Sequence, residues 1–155
     1  MPGPGDRITD LTVTLHDGTT TTLSALADGG RLVVFFYPKA FTAGCTAQAC
    51  HFRDLGAEFT ELGASRVGVS RDDAATQARF AGQHEFDYPL IADRDGTISL
   101  AFGAKRVGPI HSRRQTYVLE SDLTVLAVIS DEIRMDRHAD DALEILRAHR
   151  AGTSG

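Results

Sequence analysis

Residues 32–37 read LVVFFY, an unbroken apolar run that Pro38 closes. A strand with one wet face alternates apolar and polar side chains. A run with no polar position is covered on both faces, as in the middle of a sheet that carries helices above and below. Pro38 has no N–H to offer a neighbouring strand, so pairing ends there. The chain is thereby held to the α/β class, and the other elements are read outward from this centre.

Before the run, residues 11–15 alternate and predict a short strand, Asp17-Gly18 a hairpin turn, and Thr19 to Thr22 the return strand. Ser24 is expected to cap a helical turn that Gly29-Gly30 closes. After the run, a single helix is predicted over 42–62. Phe52, Leu55, Phe59 and Leu62 fall three and four apart on one buried stripe, and Gly63 stops the helix. Residues 66–70 predict a strand, Asp72 or Asp73 the cap of a helix reaching His84, residues 89–92 a strand, and residues 97–102 a short helix after the Asp95-Gly96 turn. Residues 115–119 and 124–129 form an expected hairpin, and Asp136 the cap of a last helix over 137–149. This order predicts right-handed parallel crossovers with an antiparallel addition: a mixed central β-sheet flanked by helices.

At 155 residues, 42% hydrophobic and 24% charged, the chain is expected to form a single domain over 1–155, with short flexible ends at 1–5 and 151–155. A net charge of -5 without a basic stripe argues against a nucleic-acid partner. No apolar run reaches a membrane span, and MPGPGDR does not begin a signal peptide, so no membrane partner and a cytoplasmic location are expected.

The two cysteines, Cys45 and Cys50, both follow Pro38 closely. A buried strand ends, a helix begins at Thr42, and Cys45 falls in its first turn. There the unpaired N–H groups and the helix dipole favour an anion, and such positions favour the nucleophilic thiolate. By position alone, Cys45 is equally readable as a small buried side chain. Five residues along a helix give a Cα separation of about 8.6 Å, beyond the roughly 7 Å that a disulfide spans. A static bridge is therefore not expected. A bond that forms after the helix start unwinds remains open, and Thr42, Gly44 and Thr46 are weak helix formers that would ease it.

Pro38-x-x-x-Thr42-x-x-Cys45 resembles the active-site signature of peroxiredoxins, and its extension from Cys45 to Asp54 resembles the peroxiredoxin Q, or bacterioferritin comigratory protein, branch. GVSRDD from Gly68, FDYPLIADRDG from Phe86 and Arg114 before YVLE resemble further segments of that family in the right order. The resemblance implies a thioredoxin-like fold, which the element order also fits. It implies a thiol peroxidase that reduces hydrogen peroxide and alkyl hydroperoxides, with no metal, haem or flavin cofactor. Cys45 would be the peroxidatic nucleophile. Thr42 would hold the peroxide, Arg114 would stabilise the thiolate and leaving oxygen, and Pro38 would shield the sulfur. Cys50 would resolve the Cys45 sulfenic acid as an intramolecular disulfide, which thioredoxin or a similar thiol reductant reopens. A monomer is the expected state.

Departures from the family are Ala43, where proline is common, and Glu120-Ser121-Asp122-Leu123, where Asp-x-x-Gly is common and a changed turn is expected. Arg113 is the alternative to Arg114, and His111 is placed near the pocket by sequence proximity alone. Gln48 is read evenly as a helix-start hydrogen-bond partner or a surface residue. His51 reads as a solvated helix residue, because two cysteines and one histidine at these spacings match no ordinary zinc pattern. The acidic pairs Asp131-Glu132 and Asp140-Asp141 read as solvent face and helix start, and Phe41 and Phe102 as packing residues. The alternative functions are a peroxide sensor and a thiol–disulfide relay. The lack of a CxxC pair argues against the relay.

Overall fold

The computed structural model describes residues 2–103, 114–131 and 133–153, with side chains placed through His149. Arg113, His111 and Glu132 lie outside the described residues. Strands β1 (Thr12–Thr14) and β2 (Thr20–Thr22) form an antiparallel pair. A five-stranded mixed sheet is built from β3 (Arg31–Phe36), β4 (Ala64–Ser70), β5 (Leu90–Ala92), β6 (Gln115–Leu119) and β7 (Val125–Ser130). Its order is β5-β4-β3-β6-β7. β3 runs parallel to β4 and β4 to β5, whereas β6 is antiparallel to both β3 and β7.

β3 sits at the centre, and its apolar run divides as a two-residue period requires. Val33, Phe35 and Tyr37 face one core with Phe52, Phe59, Phe80, Leu143 and Leu146. Leu32, Val34 and Phe36 face the other with Leu23, Ile98, Phe102 and Tyr117. The first core is covered by α2 (Ala43–Asp54), α3 (Gly56–Glu61), α4 (Ala74–His84) and α6 (Asp136–Thr153), and the second by α1 (Leu23–Ala27) and α5 (Thr97–Ala101).

Several local expectations are corrected. Thr22, not Ser24, caps α1, with its oxygen accepting the Ala25 N–H, while Ser24 is held by the Asp10 carboxylate through both its N–H and its hydroxyl. The single helix expected over 42–62 is two, broken at Leu55. Arg66 Nη1 donates to the Phe52 carbonyl at 2.7 Å, and Gly56, a poor helix former, follows. A β-carbon on Gly56 would stand 2.6 Å from Asp87 Oδ2 and 3.0 Å from Arg66 Nη2, so the Arg66–Asp87 pair needs a glycine there. Asp73 is the cap of α4, while Asp72 accepts the Ser70 hydroxyl instead. Asp136 lies within the first turn of α6 instead of preceding it, and α6 runs past His149 to Thr153, into the expected loose end. At the other end, Gly5 N–H bonds Val125 O and Val125 N–H bonds Asp6 O, so that end is tied to β7. Leu123 takes φ 72°, the left-handed conformation that a glycine would supply in this turn. No helix among the described residues is long and apolar enough to cross a membrane.

Candidate active site

The site is assembled where β3 leaves the sheet. Tyr37 N–H still bonds Val69 O, and Pro38 then turns the chain out. The loop to α2 is fixed from β4's end: Ala40 N–H donates to Asp72 Oδ2 at 2.7 Å, and the Ser70 hydroxyl meets the same oxygen at 2.6 Å. Phe41 is forced to φ 68°, a costly conformation for a bulky side chain, and its half-exposed ring leans on Phe80.

Thr42 stands at the N-cap of α2 with extended backbone, as its position predicts. Its hydroxyl does not cap the helix, however, which corrects the hydrogen bond expected of it. The Thr42 hydroxyl donates to the Lys39 carbonyl at 2.8 Å, so its proton is committed to the loop and its oxygen still accepts. The first turn of α2 holds no acidic side chain and no side-chain cap, so its positive end is left to whatever anion forms there.

Cys45, the third residue of α2, is 1% exposed. Arg114, at the entrance to β6, is buried and brings Nη1 to 3.5 Å from Cys45 Sγ. The same Nη1 donates to Gln48 Oε1 at 2.5 Å. Gln48 is fully buried one turn along α2, and its Nε2 has no partner among the described residues. Gly44 lets this cluster close: a β-carbon there would lie 3.4 Å from both Arg114 Nη2 and Met135 Sδ. Below the loop, Tyr37 donates to Gln77 Oε1 at 2.6 Å, and burial pushes its phenol far above the usual range.

Cys50 lies on the same helix, half-buried, and both thiols are free. Burial pushes the Cys50 thiol up, with Arg53 pulling the other way and Asp54 adding to the rise. The second half of α2 is pinned from three sides. Tyr88 donates to the Ala49 carbonyl at 2.6 Å, Arg66 to the Phe52 carbonyl, and Arg53 reaches the His84 carbonyl at 2.8 Å. His51 pairs with Asp140 of α6 at 2.7 Å.

The structure therefore brings Cys45 and Arg114 together, sets Thr42 and Pro38 on the loop leading into the same helix, and leaves Cys50 farther along it. Gln48, read as a helix-start hydrogen-bond partner or a surface residue, is fully buried and joins the cluster as the acceptor of Arg114, and Met135 borders it across Gly44. Gln48 carries the expected short sequence distance, one turn from Cys45; Met135 carries no sequence signal. Phe102 is fully buried in the opposite core. Asp131 accepts the N–H groups of Ile133 and Arg134, and Asp141 pairs with Arg137. Among the described residues, no group of three or more histidine, cysteine or carboxylate side chains could hold a metal ion.

A buried sulfur beside a fixed guanidinium at an uncapped helix start can carry negative charge and can stabilise charge on an oxygen bound next to it. Residues 4–128 match the model of the AhpC/TSA family. A Mycobacterium tuberculosis peroxiredoxin is 50% identical over 151 residues, which cover 96% of this chain and 98% of the relative. The crystal structure of the peroxidoxin BcpB from the same organism superimposes with a TM-score of 0.92 at 48% identity, over 96% of this chain and 98% of that one. A structure of the Xanthomonas campestris bacterioferritin comigratory protein, described for its alkyl peroxide reduction activity, gives a TM-score of 0.82 at 34% identity, over 90% and 91% of the two chains.

Proposed function

The chain belongs to the AhpC/TSA family as a peroxiredoxin, similar to the Bcp and peroxiredoxin Q proteins, and from that premise we propose that Cys45 is its peroxidatic nucleophile, with Cys50 as the resolving thiol. The observation that carries the proposal is the Arg114 guanidinium 3.5 Å from Cys45 Sγ, at the start of a helix with no side-chain cap.

The Cys45 thiolate attacks one oxygen of hydrogen peroxide or an alkyl hydroperoxide. The O–O bond breaks, the other oxygen leaves with the bonding pair and takes up a proton, and Cys45 becomes a sulfenic acid. Arg114 stabilises both the sulfur's charge and that growing on the leaving oxygen. Gln48 holds the guanidinium in place through Oε1. Thr42, whose hydroxyl donates its hydrogen bond to the Lys39 carbonyl, offers its oxygen to a peroxide O–H. Pro38 turns the chain over the site without an N–H of its own to compete for the thiolate.

Cys50 then attacks the sulfenic sulfur, expelling water and closing a disulfide within the chain. At about 8.6 Å between Cα atoms on a regular helix, this requires α2 to open. The contacts on Ala49, Phe52 and Arg53 hold the far half, so opening starts from Thr42, where Gly44 and Thr46 lie. A thioredoxin-type dithiol reductant reopens the bond by exchange, and the protein works as a monomer in the cytoplasm.

Replacing Cys45 by serine is the direct test. Peroxide consumption should stop, and a Cys45→Ser protein that still reduces peroxide would end the assignment. Cys50→Ser should keep the first oxidation but lose sustained turnover with thioredoxin; sustained turnover would remove Cys50 from its role.

A further inference from the structure

Met135 is one of two methionines in the chain, and its thioether stands over the backbone of the residue next to Cys45. Met135 Sδ and Arg114 Nη2 each lie 3.4 Å from the place a Gly44 β-carbon would take, so the sulfur and the guanidinium both border the space over Gly44. The segment carrying Met135 is held in position, because Asp131 accepts the N–H groups of Ile133 and Arg134. It is also open to solvent: Ile133 is 86% exposed, and Met135 is half-buried. A soft thioether thus borders the same glycine as the cation that, on the reading above, polarises a peroxide.

We propose that Met135 is a second oxidation site, and that its conversion to the sulfoxide turns the peroxidase down. This inference rests on the reading of the cluster as a peroxide site. The thioether sulfur attacks one peroxide oxygen, and the O–O bond breaks. The leaving oxygen keeps the bonding pair and takes, through water, the proton of the oxygen transferred. The products are methionine sulfoxide and water, or an alcohol from an alkyl hydroperoxide. The thioether is a weak acceptor, whereas the sulfoxide oxygen is a strong one. Added at the space over Gly44 that Arg114 Nη2 also borders, it draws the guanidinium off Gln48 and Cys45. Methionine sulfoxide reductases reverse the change, unlike over-oxidation of Cys45 to the sulfinic acid.

The test cycles the protein with excess hydrogen peroxide and dithiothreitol as the dithiol reductant, and follows peptide masses together with activity. The Met135 peptide should gain one oxygen about tenfold faster than N-acetylmethionine, less than the roughly hundredfold that one preorganised donor can contribute. The activity lost in step with it should return on treatment with the two methionine sulfoxide reductases. Met135→Leu, which conserves volume, should keep its activity at the same dose apart from the share shown by two oxygens on the Cys45 peptide. Oxidation no faster than that of N-acetylmethionine, or a Met135→Leu protein inactivated at the wild-type dose, would overturn the proposal. If Met135 gains oxygen while Cys45 stays reduced, the peroxidase reading fails and with it the control over activity, while the oxidation site stands. If Cys45 reacts and Met135 does not, the oxidation site fails alone.

Discussion

Replacing Arg114 by methionine keeps most of the buried volume and removes the charge. At 3.5 Å from Cys45 Sγ, a unit charge is worth about 4–5 kcal/mol to a thiolate at an effective dielectric of about 20. Part of that is offset in the wild type by the cost of holding the guanidinium out of water. Loss of one preorganised donor at a reacting centre typically costs about 3–4 kcal/mol, or roughly 100- to 1000-fold in rate. The expected result is a fall of that size in the second-order rate of Cys45 oxidation, read by stopped-flow loss of thiol in single-turnover mixing with hydrogen peroxide. Arg114→Lys should recover part of it, because the charge returns without the fork that reaches both Cys45 and Gln48. An Arg114→Met protein within threefold of the wild type, with its fold intact by circular dichroism, would refute the electrostatic argument.

Tyr88→Phe removes a buried hydrogen bond to the Ala49 carbonyl, worth about 1 kcal/mol. Under excess peroxide, the product ratio should shift from Cys45 sulfinic acid toward the disulfide, because the Cys50 end of α2 is freed to follow the opened start; an unchanged ratio by mass spectrometry would count against a Cys50 approach limited by that anchor. Gly68→Ala places a β-carbon 2.8 Å from Leu90 Cδ2 and Phe35 Cζ, and should cost about 1–3 kcal/mol, seen as a lower urea midpoint. For Cys50, burial raises the thiol above its ordinary value of 9.0. The folded state therefore binds the proton more tightly than the unfolded chain, and this contribution to stability is full below the ordinary value and lost as pH rises through the folded one. Wild type should lose stability relative to Cys50→Ser above about pH 9 and track it below pH 8, and parallel urea midpoints across that range would contradict the assignment of the shift.

The centre of the fold was legible because local pattern and tertiary environment agree there. LVVFFY demanded cover on both faces, and alternate residues enter two separate cores. The break at Leu55 was not legible. The stripe from Phe52 to Leu62 continues across it, and what interrupts the helix is a guanidinium from β4 paired with Asp87. Caps show the same division. The position of Thr42 at the N-cap is readable from sequence, but the destination of its hydroxyl proton depends on how the loop brings the Lys39 carbonyl round. Motif and resemblance point to Cys45 and Arg114, and the fold brings them together across 69 residues of chain. For Gln48 the helix-start position leaves a hydrogen-bonding and a surface role equally open, and its burial against Arg114, like the place of Met135 over Gly44, comes from packing that no local pattern encodes.

The most direct test of a Cys45–Cys50 peroxide cycle is the loss of thiols in fully reduced protein after one equivalent of hydrogen peroxide, followed over seconds, with the products resolved by non-reducing electrophoresis. Loss of both thiols in a protein that stays monomeric is the predicted result. Two thiols still titratable on that timescale, or a covalent dimer in their place, would contradict it.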